Sequence, residues 1–383
     1  MSKHSIILTP KEALSAAGAV YGFKKGMNIT ESFKPSLINK HFDFDTSADQ
    51  FSAKSGIFLF KENAGFAAMA MGKGKYENHA ILVCRGTDGL KDWLSDLNIG
   101  GQLSVSGHLV HAGFNRIYNQ FREKMLDFIK TNSATTVHCV GHSLGGALAN
   151  MAADTIIGNN KNAVLYTFGA PRVGIASFAN KLSKHPRLSV DNIFRVYHSS
   201  DPVSMIPLFP FVHAPQPGGE YYINKVLTIN PWDHKMKAYT KTMANVKSWK
   251  SIQNPHPSLD DHAIKWLYSD ESMRYCGLNI YNLGMAMKAI QLIVKDALTQ
   301  GWSVASFGFT AGITVIDHLS LAVSHAAQFS KEKAGMVMNV LKRIMNMIGM
   351  KINPGQSITL AFIKFVFRSL SAALMRSVRI ALS

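Results

Sequence analysis

Residues 141–146 read Gly-His-Ser-Leu-Gly-Gly, between the strand-like run Thr135-Thr136-Val137-His138-Cys139-Val140 and the helix-like run of residues 147–157. A serine on a sharp turn between strand and helix has its hydroxyl lifted clear of the sheet, and small residues flank it because the turn leaves no room for side chains. The helix that follows aims backbone N–H groups and the positive end of its dipole at a developing oxyanion. Ser143 is therefore the candidate nucleophile of an acyl-transfer site. His142 lies next to it, but a neighbour on such a turn points away from the serine, so it reads as structural.

A strand–turn–helix of this kind belongs in an alternating α/β architecture, and the surrounding chain alternates accordingly. Strand-like runs occupy residues 56–60, 66–71, 80–84, 136–140, 163–168 and 193–198, and helix-like runs 117–131, 147–157 and 175–182. The arrangement predicts βαβ units around a mostly parallel central sheet. A Thr-Pro-Lys-Glu start signal predicts an opening amphipathic helix over 10–23. Residues 208–220 and 254–258 are Pro- and Gly-rich and read as loops. Beyond about residue 276 the strand rhythm stops, and 281–383 reads as helical. The expected division is an α/β catalytic domain over 1–275 and an all-α region over 276–383.

A serine nucleophile of this type needs a base and an acid that orients it, in the chain order Ser, Asp or Glu, His. Asp201 comes just past the strand-like Ile-Phe-Arg-Val-Tyr-His, where a carboxylate lies at the active edge of a parallel sheet. Asp260 and Asp261 are poorer candidates, being past the sheet and beside a histidine. Among possible bases, His198 precedes the acid, while His213, His234 and His256 have loop-like surroundings. His262, with an apolar helical run behind it, is the expected base.

The chain resembles the class 3 (fungal-lipase-like) lipases of the α/β-hydrolase superfamily. The resemblance spans roughly residues 10–270 and rests on an ordered series: ILVCRGTDGLKDWLSDL, VHAGF, VGHSLGGALA, YTFGAPRVG, YHSSDPVSMIP and DHAIKWLY. It implies an α/β-hydrolase fold and a Ser143–Asp201–His262 triad, with oxyanion donors at Thr87, after Arg85-Gly86, and at the backbone N–H of Leu144. Asp88–Leu97 is similar to the family's lid helix, which makes Trp93 either an acyl-chain contact or a core residue. Arg85 and Asp96 read as a structural ion pair. Compact members of the family have no counterpart to the C-terminal region.

Charge bears on partners. Lys and Arg outnumber Asp and Glu 41 to 24, a field that attracts polyanions. No nucleic-acid-binding motif accompanies it, and the apolar C-terminal quarter favours an anionic membrane surface instead. Residues 281–383 carry eleven Lys and Arg against Asp296, Asp317 and Glu332. On a helical wheel, Lys364, Arg368, Arg376 and Arg379 form a basic arc, away from Phe362, Val366, Leu370, Ala373 and Ile380. This suits a membrane-surface helix or a helical subdomain packed on the α/β unit. Residues 302–329 reach the roughly 20 residues of a membrane span, although Asp317 and His318 would then lie within it.

Cys84, Cys139 and Cys276 make no disulfide framework. No metal-ligand cluster is present, and a serine hydrolase needs neither metal nor organic cofactor. The N-terminus lacks a signal-peptide pattern, so the expected location is cytoplasmic or reached by non-classical export, with peripheral membrane association. The expected function is hydrolysis of acyl esters in glycerolipids by a lipase or phospholipase, in the manner of a bacterial effector. An inactive lipid-binding or scaffold protein on the same fold and a soluble carboxylesterase are the competing readings. Nothing in the sequence sets the oligomeric state.

Overall fold

In the strand-like runs, odd and even positions are apolar alike, the mark of a sheet covered on both faces. The protein, a computed structural model, is described over residues 6–25, 29–44, 58–59, 66–86, 100–215, 220–224, 228–252, 259–269, 277–299, 314–353 and 355–383. Its strands are β1 (Phe42–Asp43), β2 (Phe58–Leu59), β3 (Phe66–Gly72), β4 (His79–Arg85), β5 (Gly101–Leu103), β6 (Leu109–His111), β7 (Thr136–His142), β8 (Asn162–Phe168), β9 (Ile193–His198) and β10 (Glu220–Asn224). The main sheet has the order β1-β3-β4-β7-β8-β9-β10, with β2 also on β3. β1, β2 and β4 run antiparallel to β3. From β4 to β10 every pairing is parallel. The C-terminal ends of β7, β9 and β10 therefore share one edge. β5 and β6 form a separate antiparallel ribbon.

The first eight helices are α1 (Pro10–Ala19), α2 (Ile29–Phe33), α3 (Ala112–Asn119), α4 (Arg122–Thr131), α5 (Leu144–Gly158), α6 (Ala176–Lys184), α7 (Met236–Met243) and α8 (Leu259–Tyr268). The C-terminal four are α9 (Ile280–Thr299), α10 (Val315–Ala326), α11 (Lys331–Met347) and α12 (Leu360–Leu382). Alternate residues of the sheet feed two apolar layers. Leu82, Cys84, Val137, Cys139 and Leu165 join α5, α6 and the C-terminal helices. Ile81, Val83, Val140, Val164 and Phe168 join α1, α7 and Trp249.

Two local expectations change. The helix expected over 117–131 is broken between α3 and α4, where Phe121 leaves helical geometry (φ −123°, ψ −1°). Its buried ring meets Tyr118 edge-on, and core packing overrides helix continuity. β10 appears as a fifth parallel strand in a run too short, and too close to Pro- and Gly-rich punctuation, to stand out in the sequence.

The C-terminal helices are packed on the α/β unit. Ile363, Val366, Phe367, Leu370, Leu374 and Val378 of α12 are buried, in the same apolar cluster as Val203, Met205 and Ile206. The apolar side on which a membrane-surface helix would rest thus faces protein. Arg343 of α11 is buried too. Its guanidinium donates to the carbonyls of Leu267 (3.2 Å) and Ser269 (2.6 Å), at the negative end of the α8 dipole. Asp317 sits at the start of α10 in a capping box with Thr314, and Lys364 and Arg368 reach it at 3.1 and 3.2 Å. Its carboxylate thus pins the N-terminus of α10 to α12. No helix among the described residues is long and apolar enough to cross a membrane. Residues 300–313, part of the stretch weighed as a span, lie outside the described residues.

Leu370→Ala should destabilise the protein by about 2–5 kcal/mol in denaturant unfolding, whereas Arg379→Gln, on the exposed side, should change stability by less than about 0.5 kcal/mol.

On the α1 side of the sheet, His138 is buried within hydrogen-bonding distance of His79 Nδ1 (2.9 Å) and the Tyr166 hydroxyl (3.4 Å). Burial, with His79 adding to it, pushes its pKa down to about 3. A histidine so lowered stabilises the fold while neutral. That contribution is fully present above the unfolded-state value near 6.5 and is lost as pH falls toward 3. Unfolding free energy should therefore decline below about pH 6.5, and His138→Phe should flatten the slope by about 1.4 kcal/mol per pH unit.

Candidate active site

At the end of β7 the chain turns sharply through Ser143, which has φ 59° and ψ −134°. A non-glycine residue held there stores about 1–3 kcal/mol of backbone strain. The turn persists because its surroundings leave no other path. A Cβ on Gly145 would lie 2.1 Å from the Cys84 carbonyl oxygen, so α5 can pack against β4 this closely only with glycine at that position. Ser143 N donates to the Phe168 carbonyl at 2.9 Å. Leu144 opens α5, and its N–H is among the first of a helix, which have no intrahelical acceptor.

Asp201 lies past the end of β9 and caps the short 3-10 turn Pro202–Met205 through a 2.9 Å bond from Val203 N to its Oδ1. A second 3-10 turn, Pro231–His234, is capped by Asn230. The Asn230 backbone N–H also donates to the Ser200 carbonyl at 2.9 Å. This bond folds the segment after β10 back across the end of β9, and it delivers His234. His234 Nδ1 lies 2.9 and 3.0 Å from the two oxygens of Asp201, and Nε2 lies 2.9 Å from Ser143 Oγ. Nδ1–H thus donates to the carboxylate, leaving Nε2 to accept the serine proton. All three residues are buried.

The expected base was His262. It lies instead on α8 with an exposed side chain, while His234 occupies the position between Ser143 and Asp201. Loop-like surroundings were the ground for setting His234 aside, yet reactive side chains concentrate on loops carried by a rigid scaffold. The signal was Asn230-Pro231, a cap followed by proline, which marks a tight turn ending at His234. Of the competitors, His198 contacts the Asp233 carbonyl and His213 the Ser204 carbonyl. Thr87, Trp93, Asp96 and His256 lie outside the described residues. Gly86, before Thr87, is close to the nucleophile: a Cβ there would be 3.2 Å from Ser143 Cβ.

Two residues of the site were not foreseen. Tyr239 on α7 donates its hydroxyl to Asp201 Oδ2 at 2.8 Å and accepts from His198 N at 3.2 Å. Gly169, with φ +54°, lies against Asp201: a Cβ would come 2.6 Å from Oδ2 and 2.7 Å from the Tyr239 hydroxyl. Burial by itself raises the Asp201 pKa, but His234, Tyr239 and the Val203 N–H outweigh it and hold the carboxyl below its usual value. Asp201 is thereby kept ionised. Among the described residues, no group of three or more His, Cys, Asp or Glu side chains is placed to hold a metal ion.

Residues 81–211, which include Ser143 and Asp201, match the family described as Lipase (class 3). Over these residues the chain is similar to the class 3 lipases. Among its relatives, the "Secreted mono- and diacylglycerol lipase 1" of Fusarium solani is 32% identical over 152 residues, 38% of this chain and 44% of the relative. "Phospholipase A1-II 1" of Oryza sativa subsp. indica is 26% identical over 221 residues, 49% of this chain and 52% of the relative. The chain thus spans about half the length of the curated relatives it matches. The solved lipase of Rhizopus microsporus var. chinensis aligns with a TM-score of 0.40 at 20% identity, over 57% of this chain and 74% of that one. The matched residues include the nucleophile turn and strands β7 to β9 of the parallel sheet, and His234 lies beyond them.

Gly169→Ala should lower reactivity of Ser143 toward a fluorophosphonate probe by about 10-fold or more, because the added methyl displaces Asp201 and strains a positive φ. His234→Ala should nearly abolish labelling, and His262→Ala should leave it unchanged. Labelling rates read by intact-protein mass spectrometry give the order.

Proposed function

We propose that the chain is a serine hydrolase that cleaves acyl esters of glycerolipids at a membrane surface. Ser143 is the nucleophile, His234 the base and Asp201 the acid that orients it. The observation that carries this reading is the 2.9 Å contact between Ser143 Oγ and His234 Nε2, with His234 held by Asp201. As Oγ attacks the ester carbonyl, Nε2 takes its proton, and the Asp201 carboxylate stabilises the imidazolium. The alcohol leaves with that proton, and water cleaves the acyl-enzyme by the same route. The Leu144 N–H and, by family resemblance, Thr87 hold the oxyanion, each donor contributing roughly 3 kcal/mol.

Relatives described as mono- and diacylglycerol lipases and as a phospholipase A1 support glycerolipid acyl esters as substrates. The positive charge of the chain favours anionic phospholipid over neutral lipid. Surface features support a lipid–water interface. Trp232, two residues before the base, is 63% exposed with Lys235 Nζ 6.0 Å from its ring centre, an apolar body beside a cation that suits the headgroup region. The outer side of α12 presents Phe365 and Ile380 with Arg368, Arg376 and Arg379.

Ser143→Ala should lower hydrolysis of a soluble short-chain ester and of phospholipid vesicles by more than about 10³-fold, and unchanged turnover would refute the reading. Replacing Arg376 and Arg379 with Gln should weaken binding to anionic vesicles, most at low salt, while leaving the soluble ester untouched. Equal loss on both substrates would remove membrane contact from the proposal.

A further inference from the structure

The His234 ring is only as well placed as the backbone that carries it, and that backbone is held by another imidazole. His142, the residue before the nucleophile, is buried, and its Nε2 lies 2.8 Å from the His234 carbonyl oxygen. Its Nδ1 lies 2.7 Å from the hydroxyl of Tyr21. A carbonyl only accepts, so the hydrogen of the ring must sit on Nε2. Nδ1 is then the acceptor and the Tyr21 hydroxyl the donor. The two bonds select one tautomer between them. The ring also stacks on that of His234, with centres 4.7 Å apart and planes at 28°.

We infer that His142 is a positioning residue for the reaction: with its tautomer set by Tyr21, it holds the His234 carbonyl so that Nε2 of His234 meets Ser143. The sequence reading treats His142 as structural only, and this role rests on His234 being the base. Burial, with His234 beside it, pushes the His142 pKa down to about 3. The ring therefore remains neutral at working pH and opposes no imidazolium forming on its neighbour. The preceding carbonyl, that of Asp233, lies 2.6 Å from Nδ1 of His198. Consecutive carbonyls of the base-bearing turn are thus each held by a histidine from the end of a sheet strand. The carbonyl clamp does not touch substrate, and the alignment of Nε2 that it fixes matters only as the serine proton moves, so its loss should lower kcat and leave KM alone.

The test uses the full chain and a soluble short-chain ester. His142→Phe keeps an aromatic ring and removes both bonds, and it should lower kcat by about 10- to 100-fold with KM within about twofold. His142→Gln, whose amide NH reaches the Nε2 position, should recover much of that loss. Tyr21→Phe should also lower kcat, and Tyr21→Phe combined with His142→Phe should be no worse than His142→Phe alone, because one acts through the other. If His142→Phe does not fold, His142→Asn, which keeps polarity but falls short of the carbonyl, takes its place in the cycle. Parental kcat in the folded His142 variants, no recovery with Gln, or additive losses would each overturn the inference. Should Ser143→Ala or His234→Ala retain activity, the proposed function itself fails. Inactive Ser143 and His234 variants beside a fully active His142→Phe would discard the positioning role alone.

Discussion

Asp201 has no solvent exposure, and a buried carboxylate costs several kcal/mol unless its oxygens are matched by donors. The Val203 N–H, the Tyr239 hydroxyl and Nδ1 of His234 meet it. Each donor comes from a different element, so the one charge ties α7 and the two 3-10 turns to the end of β9. Gly169 is the condition for this convergence, because any side chain there would occupy the space of the carboxylate and the tyrosine hydroxyl. The pairing that orients the base is therefore also what holds the catalytic edge together.

Crowding does the corresponding work around the nucleophile. Ser143 keeps a positive φ because α5 packs against β4 at glycine distance and its own N–H is engaged by the Phe168 carbonyl. Strain at a reactive residue persists only where neighbouring contacts over-determine the conformation. The result is a serine hydroxyl fixed before substrate arrives, so little reorganisation is left for the reaction to supply.

The C-terminal helices are joined to this machinery. The inner face of α12 packs on both short turns, the one capped by Asp201 and the one ending at His234, and α9 also meets the first. Its apolar residues bury against the α/β unit while its basic residues face outward or pair with Asp317. The amphipathic pattern thus has a protein on its apolar side. Any lipid contact falls to the opposite side, where arginines alternate with a few exposed apolar groups. The same helix then has one face on the two short turns and the other toward solvent.

Local pattern determined a good deal. The strands at 80–84, 136–140, 163–168 and 193–198, the nucleophile turn at Ser143 and the acid at Asp201 could all be read in the chain, because short continuous apolar runs and glycine-flanked turns are written in adjacent residues. The base could not. An apolar helical run made His262 attractive, whereas His234 reaches Ser143 and Asp201 only because β10 joins the sheet and the Asn230 N–H finds the Ser200 carbonyl. Those are long-range hydrogen bonds, which leave no periodicity to read. The same holds for His142, whose role depends on Tyr21 over a hundred residues away, and for α12, whose helical wheel shows two faces without saying which one meets protein. Sequence by itself determined which residues can perform this chemistry and the order in which they come. The tertiary structure alone decided which histidine is delivered to the serine, since that depends on where distant segments of the chain are tied together.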